Sequence, residues 1–363
     1  MSDDVYYYLG FSHFLGIGPT RFTALLNHFG SVKKSYEGDR AKIKEIIGNN
    51  WGEKFIEFRK KFDPVKKLEE LKRKHISVIP FNNKVYPKKI KEISDPPLCL
   101  YIKGKIESFP FDTYACLAIV GTREPTSYGQ QMAKKFSAEL TEGGFIIVSG
   151  LAIGIDAAAH LACINSGGRT VAVLGCGVDI IYPAINSSLY YKIIEKEGLI
   201  ISEFPPGQTV VKGLFIARNR IISALSLGVL VIEGARDSGA MITARYAAEQ
   251  GKDVFALPGL LTSKMSEAPH NLLKQGAKLV TSVEDIFEEF NLRRVPKESK
   301  DVESELEPDE KVVYSSLKDG PKSSDELIQE TKLPIEKILN ILSIFEIKGA
   351  VEKNQEGKYF KII

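Results

Sequence analysis

The sequence is poor in the residue types and patterns that most directly identify an enzyme or a secreted protein. It has four cysteines, Cys99, Cys116, Cys163 and Cys176, and no two of them form a C-x-x-C pair. That spacing excludes a disulfide framework and a zinc ribbon. Three of the four sit in apolar strand-like or helix-like runs, where a buried thiol is the ordinary reading. No apolar run approaches the roughly 20 residues that span a bilayer. The first residues, MSDDVYYYLG, lack a basic segment followed by an apolar one, so no signal peptide is read there. The expectation is a chain with no membrane association in a reducing cytoplasm. H-E-x-x-H, G-x-S-x-G and the P-loop pattern are also missing, which removes metalloprotease, serine hydrolase and intrinsic ATPase chemistry. No catalytic residue, metal or cofactor is expected.

Charge is nearly balanced, at +3 over 363 residues, but unevenly spread. Residues 1–110 carry about +8, 111–290 about −3 and 301–363 about −5. The basic surplus is concentrated in LKRKH and KVYPKKIK. The length suggests two or three domains.

Residues 1–70 read as a helical domain of the SAM or helix-hairpin-helix kind. In LGFSHFLGIGPTRFTALLNHFGS a helix ends near Phe14, Gly16-Ile17-Gly18 turns the chain, and Pro19 opens the next helix at a favoured position. Such a hairpin either presents backbone N–H groups to a DNA phosphate or is only a packed pair of helices. Residues 71–290 form the second domain. HISVIPF and LCLYI lead into it, and LAIVG, FIIVSG, TVAVLG, LIISEF, VLVIEG, DVFALPG and KLVTS follow as strands separated by helical segments. Apolar strands alternating with helices predict an α/β fold, an extended Rossmann-like, doubly wound parallel sheet. Most strands end in glycine, at Gly121, Gly150, Gly175, Gly234 and Gly259, and ligands of such sheets bind beyond the strand carboxyl ends. Residues 291–305 are charged and read as a linker. Residues 306–363 read as three helices and a small hairpin, the layout of a winged helix.

The segments AIVGTREPTSYG, SGLAIGIDAAAH, TVAVLGCGVDIIYPAIN, ISEFPPG, ARNRIISALS, VLVIEGARDSGAMITARYAAEQGKDVFALPG and NLLKQGA resemble, in order, those of the DNA-processing protein A family (DprA, also called Smf). The resemblance covers about 160 residues, and the flanking helical and winged-helix segments fit it. It implies a homodimeric, non-enzymatic protein that binds single-stranded DNA and loads the recombinase RecA onto it in natural transformation, any ATP use belonging to RecA. Two departures stand out. Where many members have a Pro and a basic residue before RNR, this chain has Phe-Ile-Ala-Arg. Pro269 and His270 precede Asn271 where a Gly two residues before the Asn is common.

Binding a single strand without sequence choice needs cations for the backbone and aromatic rings for the bases. Arg123, with Gly121 and Thr122, ends the first strand of the parallel set. Arg218, Asn219 and Arg220 are expected near the start of a helix after Gly213, where they would strengthen an anion site. Arg220 has a second reading, a buried ion pair with Glu203 or Glu233. Phe215 is the preferred stacking ring, beside Tyr128 and Tyr182, and each of these also fits a core role. In SGLAIGIDAAAH, Gly150 and Gly154 would allow close approach of a phosphate, which the amides around Leu151, Ala152 and Ile155 would hold. Asp156, at or near the N-cap, and His160, a hydrogen-bonding residue one turn later, read as loop-ordering residues, as do Glu203 and Glu233. Gly175 and Gly177 form a further glycine turn, and Ser238, Gly239 and Thr243 repeat the theme at another helix start.

The third helix of the winged region, PIEKILNILSIFEIKG, is apolar and has few cations. That argues against strong phosphate binding and for a protein-interaction or regulatory role. A competing function is a nucleotide-processing enzyme, because related glycine-rich sheets of the phosphoribohydrolase type cleave nucleoside monophosphates. Asp156, Glu203 and Glu233 would be its acid–base candidates. Those enzymes resemble P-G-G-x-G-T-x-x-E at the second glycine turn, whereas this chain has EGARDSGAMITA.

Overall fold

The computed structural model describes residues 4–106, 109, 111–292, 306–347, 350–354 and 357–361. The chain divides into two compact units, 1–294 and 295–363. The expected linker at 291–305 lies outside the described residues from 293 onward.

The first unit begins with six helices: α1 (Asp4–His13), α2 (Pro19–Phe29), α3 (Val32–Glu37), α4 (Arg40–Ile47), α5 (Asn49–Lys61) and α6 (Pro64–Arg73). The glycine hairpin falls between α1 and α2, and Pro19 occupies the first turn of α2, as expected. Gly16 is needed there because the Trp51 ring fills the space a Cβ would take. Strand β1 (Ser77–Pro80), α7 (Lys88–Lys91) and β2 (Cys99–Lys103) follow, and then the alternating pattern: β3 (Cys116–Val120), α8 (Ser127–Glu142), β4 (Ile146–Ser149), α9 (Ile155–Asn165), β5 (Thr170–Val173), α10 (Ser187–Glu195), β6 (Leu199–Ser202), α11 (Lys212–Leu225), β7 (Gly228–Val231), α12 (Gly239–Glu249), β8 (Asp253–Ala256), α13 (Glu267–Lys274), β9 (Lys278–Leu279) and α14 (Glu284–Glu289).

The nine strands form one sheet in the order β1-β2-β6-β5-β4-β3-β7-β8-β9. From β6 to β9 every pairing is parallel, while β2 joins β6, and β1 joins β2, antiparallel. Strand residues alternate between two cores, as the pleat requires. Ala118 and Val120 of β3 pack with Ile221, Leu225, Ala244 and Ala247 of α11 and α12. Leu117 and Ile119 pack with Phe136, Leu140 and Ala159 of α8 and α9. Each such large aliphatic or aromatic side chain contributes roughly 1.5–3 kcal/mol on burial, and together they fix which strand ends meet. The N-terminal helices share a core with the β2–β6 side of the sheet, where Leu9, Phe11 and Leu25 join Cys99, Tyr101 and Ile200.

The second unit contains α15 (Pro308–Ser316), α16 (Ser324–Thr331), α17 (Ile335–Ile347) and an antiparallel pair, β10 (Val351–Lys353) with β11 (Tyr359–Lys361). This is the three-helix-plus-hairpin layout of a winged helix. Ile338, Ile341, Leu342 and Phe345 of α17 face its core. Among the described residues, no helix is long and apolar enough to cross a membrane.

Candidate nucleic-acid interface

Strand order changes direction at the boundary between β3 and β7. Connections on one side of it return over α8, α9 and α10, and on the other over α11 and α12. Carboxyl-end loops therefore part there and leave a crevice. A small pocket of about 60 Å³ lies at the carboxyl ends of β3, β4 and β5, between the segments that follow them and α11, lined by Arg123, Gly150, Ala152, Ile153, Tyr182, Pro183, Phe215 and Arg218. The sequence expectations for Arg123, Gly150, Ala152, Phe215 and Arg218 thus converge on one place. Arg123 is exposed. The Tyr182 and Phe215 rings lie 5.4 Å apart, tilted by 50°, with Tyr182 40% exposed.

The arginines of α11 are not at a helix start. The helix begins at Lys212, so Arg218 and Arg220 lie in its middle turns, and both are buried. This corrects the expectation of an anion site at the helix start, since the free N–H groups of a helix belong to its first turn. Arg218 donates from Nη1 to Gly150 O at 2.7 Å and to Val173 O, and from Nε to Asn219 Oδ1 at 3.1 Å. Burial pushes its guanidinium down to about 10 against the pull of Asp156, and Arg123 pushes in the same direction by like-charge repulsion. It remains charged at neutral pH. Arg220 takes its ion-pair reading: Nη1 and Nη2 meet both oxygens of Glu203 at 2.6 and 2.7 Å, and Nε meets Asp95 Oδ2 at 2.8 Å. Those carboxylates raise its pKa against the effect of burial.

The glycines have a different reason from the one expected. A Cβ on Gly150 would lie 2.5 Å from Arg218 Nη1 and Nη2, and one on Gly175 2.8 Å from the Phe215 ring. One on Gly121 would meet Ile155 and Glu233 O, and one on Gly177 would meet Asp179 Oδ1 and Pro205 O. Gly154, at φ +84°, faces the carbonyls of Thr122 and Arg123. The space that these glycines leave open is therefore filled by the protein's own atoms, and the loops interlock.

Asp156 lies in the first turn of α9, near its N-cap, Gly154, and makes no capping bond there. Its Oδ2 instead accepts from the Gly150 and Ala152 amides at 3.1 and 3.4 Å. Burial raises its pKa, opposed first by Arg218. The amide of Ile155 is taken by Thr122 O at 3.2 Å. Among the described residues, the amides of Leu151, Ile153 and Gly154 have no acceptor.

His160 does not order this loop. Thr170 Oγ1 donates to Ile147 O, so it accepts from His160 Nδ1 at 2.7 Å. The contact ties α9 to β5. The proton therefore resides on Nδ1, Nε2 is buried with no partner, and burial takes the pKa down to about 3.

Glu233 clamps the start of α8, accepting from Thr126 N at 2.9 Å and Thr126 Oγ1 at 2.6 Å. Its own carbonyl accepts from Thr122 N at 2.8 Å. Ser238 caps α12 through Ala240 N at 3.3 Å, Gly239 is exposed, and Thr243 is buried away from the rim. Tyr128 bonds Pro258 O at 2.8 Å and does not line the pocket. Sequence reasoning missed Asn186, whose Nδ2 donates to Leu151 O and Ala152 O at 2.9 and 3.2 Å. Its only signal is its place at the end of the segment CGVDIIYPAIN.

The profile of the DNA recombination-mediator protein A family matches residues 77–291, and that of the DprA winged helix domain matches 297–357. The chain belongs to this family. It is 33% identical to Protein Smf of Synechocystis, over 97% of this chain and 98% of that one. The X-ray structure of DNA processing protein A from Streptococcus pneumoniae superposes with a TM-score of 0.68 at 34% identity, over 80% of this chain and 98% of that one. The Helicobacter pylori protein, described with a unique single-stranded DNA binding mode, gives 0.53 at 33% identity, over 60% of this chain and 95% of that one. The family is the one that the ordered motifs resemble, and the C-terminal domain is a winged helix.

Proposed function

We propose that this family member is a non-enzymatic mediator that binds single-stranded DNA at the strand carboxyl ends and loads RecA onto it in natural transformation, as a cytoplasmic homodimer. The observation that carries the reading is the meeting of an exposed Arg123, unpaired loop amides and the Tyr182–Phe215 ring pair around one crevice. A cation, N–H donors and π-faces are what a sequence-tolerant single-strand site requires. In this reading Gly121, Thr122, Arg123, Gly150, Leu151, Ala152, Gly154 and Ile155 border the backbone track. Gly175, Gly177, Phe215, Ser238 and Gly239 extend its rim, and Arg218, Asn219, Arg220 and Thr243 support it from beneath.

Each carboxylate that an enzyme reading would need already has a partner: Asp156 on loop amides, Glu203 on Arg220 and Glu233 on Thr126. That favours binding over acid–base chemistry. In the same reading the dimer surface lies on the central domain, toward the carboxyl half of its sequence, where α12 packs. A groove of about 510 Å³ there, lined by Met241, Ile242, Arg245, Leu272 and Ala277 among others, offers apolar area. The division into a helical domain to residue 70, a sheet domain to 290, a linker to 305 and a winged helix to 363 belongs to the same reading.

In the same reading the winged helix is a protein-interaction or regulatory module. The exposed residues of α17 include Glu336, Leu339, Asn340, Ser343 and Glu346, while Lys337 is paired with Asp309, so this helix offers phosphate little positive charge. The test is fluorescence anisotropy with labelled single-stranded and duplex DNA over a salt series. Salt-sensitive preference for the single strand, weakened in Arg123→Ala, supports the reading. Equal binding of both DNA forms, or indifference to Arg123, rejects it.

A further inference from the structure

Arg218 is a buried cation lining the pocket, and its guanidinium is engaged with the protein itself. It bonds two carbonyls, Gly150 O after β4 and Val173 O at the end of β5, and it lies against the face of Gly150 where a side chain would otherwise sit. Asp156 holds the N–H side of the same loop, at Gly150 and Ala152. The loop at 150–154 is thus gripped by a positive group on a carbonyl and a negative group on its amides, and the two buried charges stabilise each other. Among the described residues, the amides of Leu151, Ile153 and Gly154 are left without acceptors between these grips, beside the exposed Arg123.

We infer that Arg218 is a positioning residue for the DNA site: it sets the 150–154 loop through Gly150 and Val173 without itself contacting phosphate. This rests on the reading of that loop as part of the single-strand track. Two consequences follow. Arg218 contributes to affinity through loop geometry, so removing it weakens binding but releases no fewer counterions. Arg123 contacts the backbone, so removing it lowers the salt slope by about 0.7 for one lost phosphate contact on a single strand. The second consequence is mutual dependence of Arg218 and Gly150: a methyl at 150 collides with the guanidinium and fits only when that group is gone.

The experiment compares the wild-type chain with Arg218→Ala, Arg218→Lys, Asp156→Asn, Arg123→Ala, Gly150→Ala and the Gly150→Ala/Arg218→Ala pair. Salt-dependent anisotropy with labelled single-stranded DNA is read beside amide hydrogen exchange of the free protein. The expected result is affinity lowered about tenfold in Arg218→Ala with an unchanged salt slope, partial recovery in Arg218→Lys, and a reduced slope only in Arg123→Ala. Exchange at Gly150 and Ala152 rises in Arg218→Ala and Asp156→Asn, while the strands stay protected. Gly150→Ala is less harmful when Arg218 is already Ala.

A slope reduced in Arg218→Ala as in Arg123→Ala overturns the inference, because it makes Arg218 a phosphate contact. Unchanged loop exchange in both Arg218→Ala and Asp156→Asn also overturns it. So does full wild-type affinity in Arg218→Ala. If the wild type itself does not prefer single-stranded DNA, the functional reading fails, and the exchange data and the Gly150–Arg218 cycle still decide whether Arg218 sets the loop.

Discussion

The Glu233 carboxylate occupies the space that a side chain on residue 129 would need: a Cβ built on Gly129 overlaps its Oε2 and Cδ. The same carboxylate accepts from Thr126 N and Oγ1 and so joins the end of β7 to the first turn of α8. Gly129→Ala should therefore force Glu233 off Thr126 and destabilise the chain by roughly 1–3 kcal/mol, the usual range for overpacking. The shift in urea midpoint at constant m-value measures it. Gly239→Ala, where no atom lies within 4 Å of the added methyl, is the control and should fold as well as the wild type.

The ring pair makes a separate prediction. Phe215→Ala and Tyr182→Ala should each weaken single-stranded DNA binding by about 1–3 kcal/mol, the magnitude for loss of one base–aromatic stack, with the salt slope unchanged. Tyr182→Phe should bind as the wild type does. Titrations with labelled oligonucleotides at two salt concentrations separate these outcomes.

Two histidines, the buried His160 and the half-buried His13, make stability depend on pH. Burial takes His160 down to about 3 and His13 down to about 4, from the usual 6.5 of a free histidine. Both are neutral in the folded chain near pH 6, and the unfolded chain takes up the protons first as pH falls. Stability is therefore full above about pH 6.5 and declines as pH drops towards 4, with a limiting slope near 1.4 kcal/mol per pH unit for each histidine. His160→Asn keeps a donor towards Thr170 Oγ1 and should flatten the profile. Chemical denaturation from pH 7.5 to 4.5 follows both effects.

The Arg220 network predicts a large and asymmetric response. Arg220→Ala leaves the largely covered Glu203 without its cation and should cost up to about 3–5 kcal/mol, the range for breaking a buried pair, whereas Arg220→Met with Glu203→Leu, which removes both charges, should cost far less. Thermal unfolding of the two variants side by side gives the comparison.

The sheet was legible because each strand is a short apolar run closed by glycine or a polar residue, and its helices follow at regular intervals. The winged helix was legible for a similar reason: apolar positions of α17 recur at helical spacing. The side chains of the site were harder to place. No side-chain cap marks the start of α11, whose N-cap is Val211, so Gly213 looked like the boundary and Arg218 seemed to lie on the rim. Glycine is ambiguous in sequence, because a ligand phosphate and a neighbouring side chain make the same demand for a missing Cβ. At Gly150 the neighbour is Arg218 and at Gly175 it is Phe215, each far away in the chain. Asp95, which shares Arg220 with Glu203, gave no signal at all because it belongs to a different motif-free segment.

Tyr101 is fully buried in the antiparallel strand β2, with its hydroxyl 2.5 Å from Ser12 Oγ and 3.1 Å from His13 Nδ1 at the end of α1. The polar end of that side chain finds its partners in residues some ninety positions earlier. The opening helices are consequently not a detachable appendage that a relative could lose by a clean excision. Shedding them would strand a phenol and an apolar sheet face in water, so any shorter version of this architecture must also redesign the outer edge of its sheet.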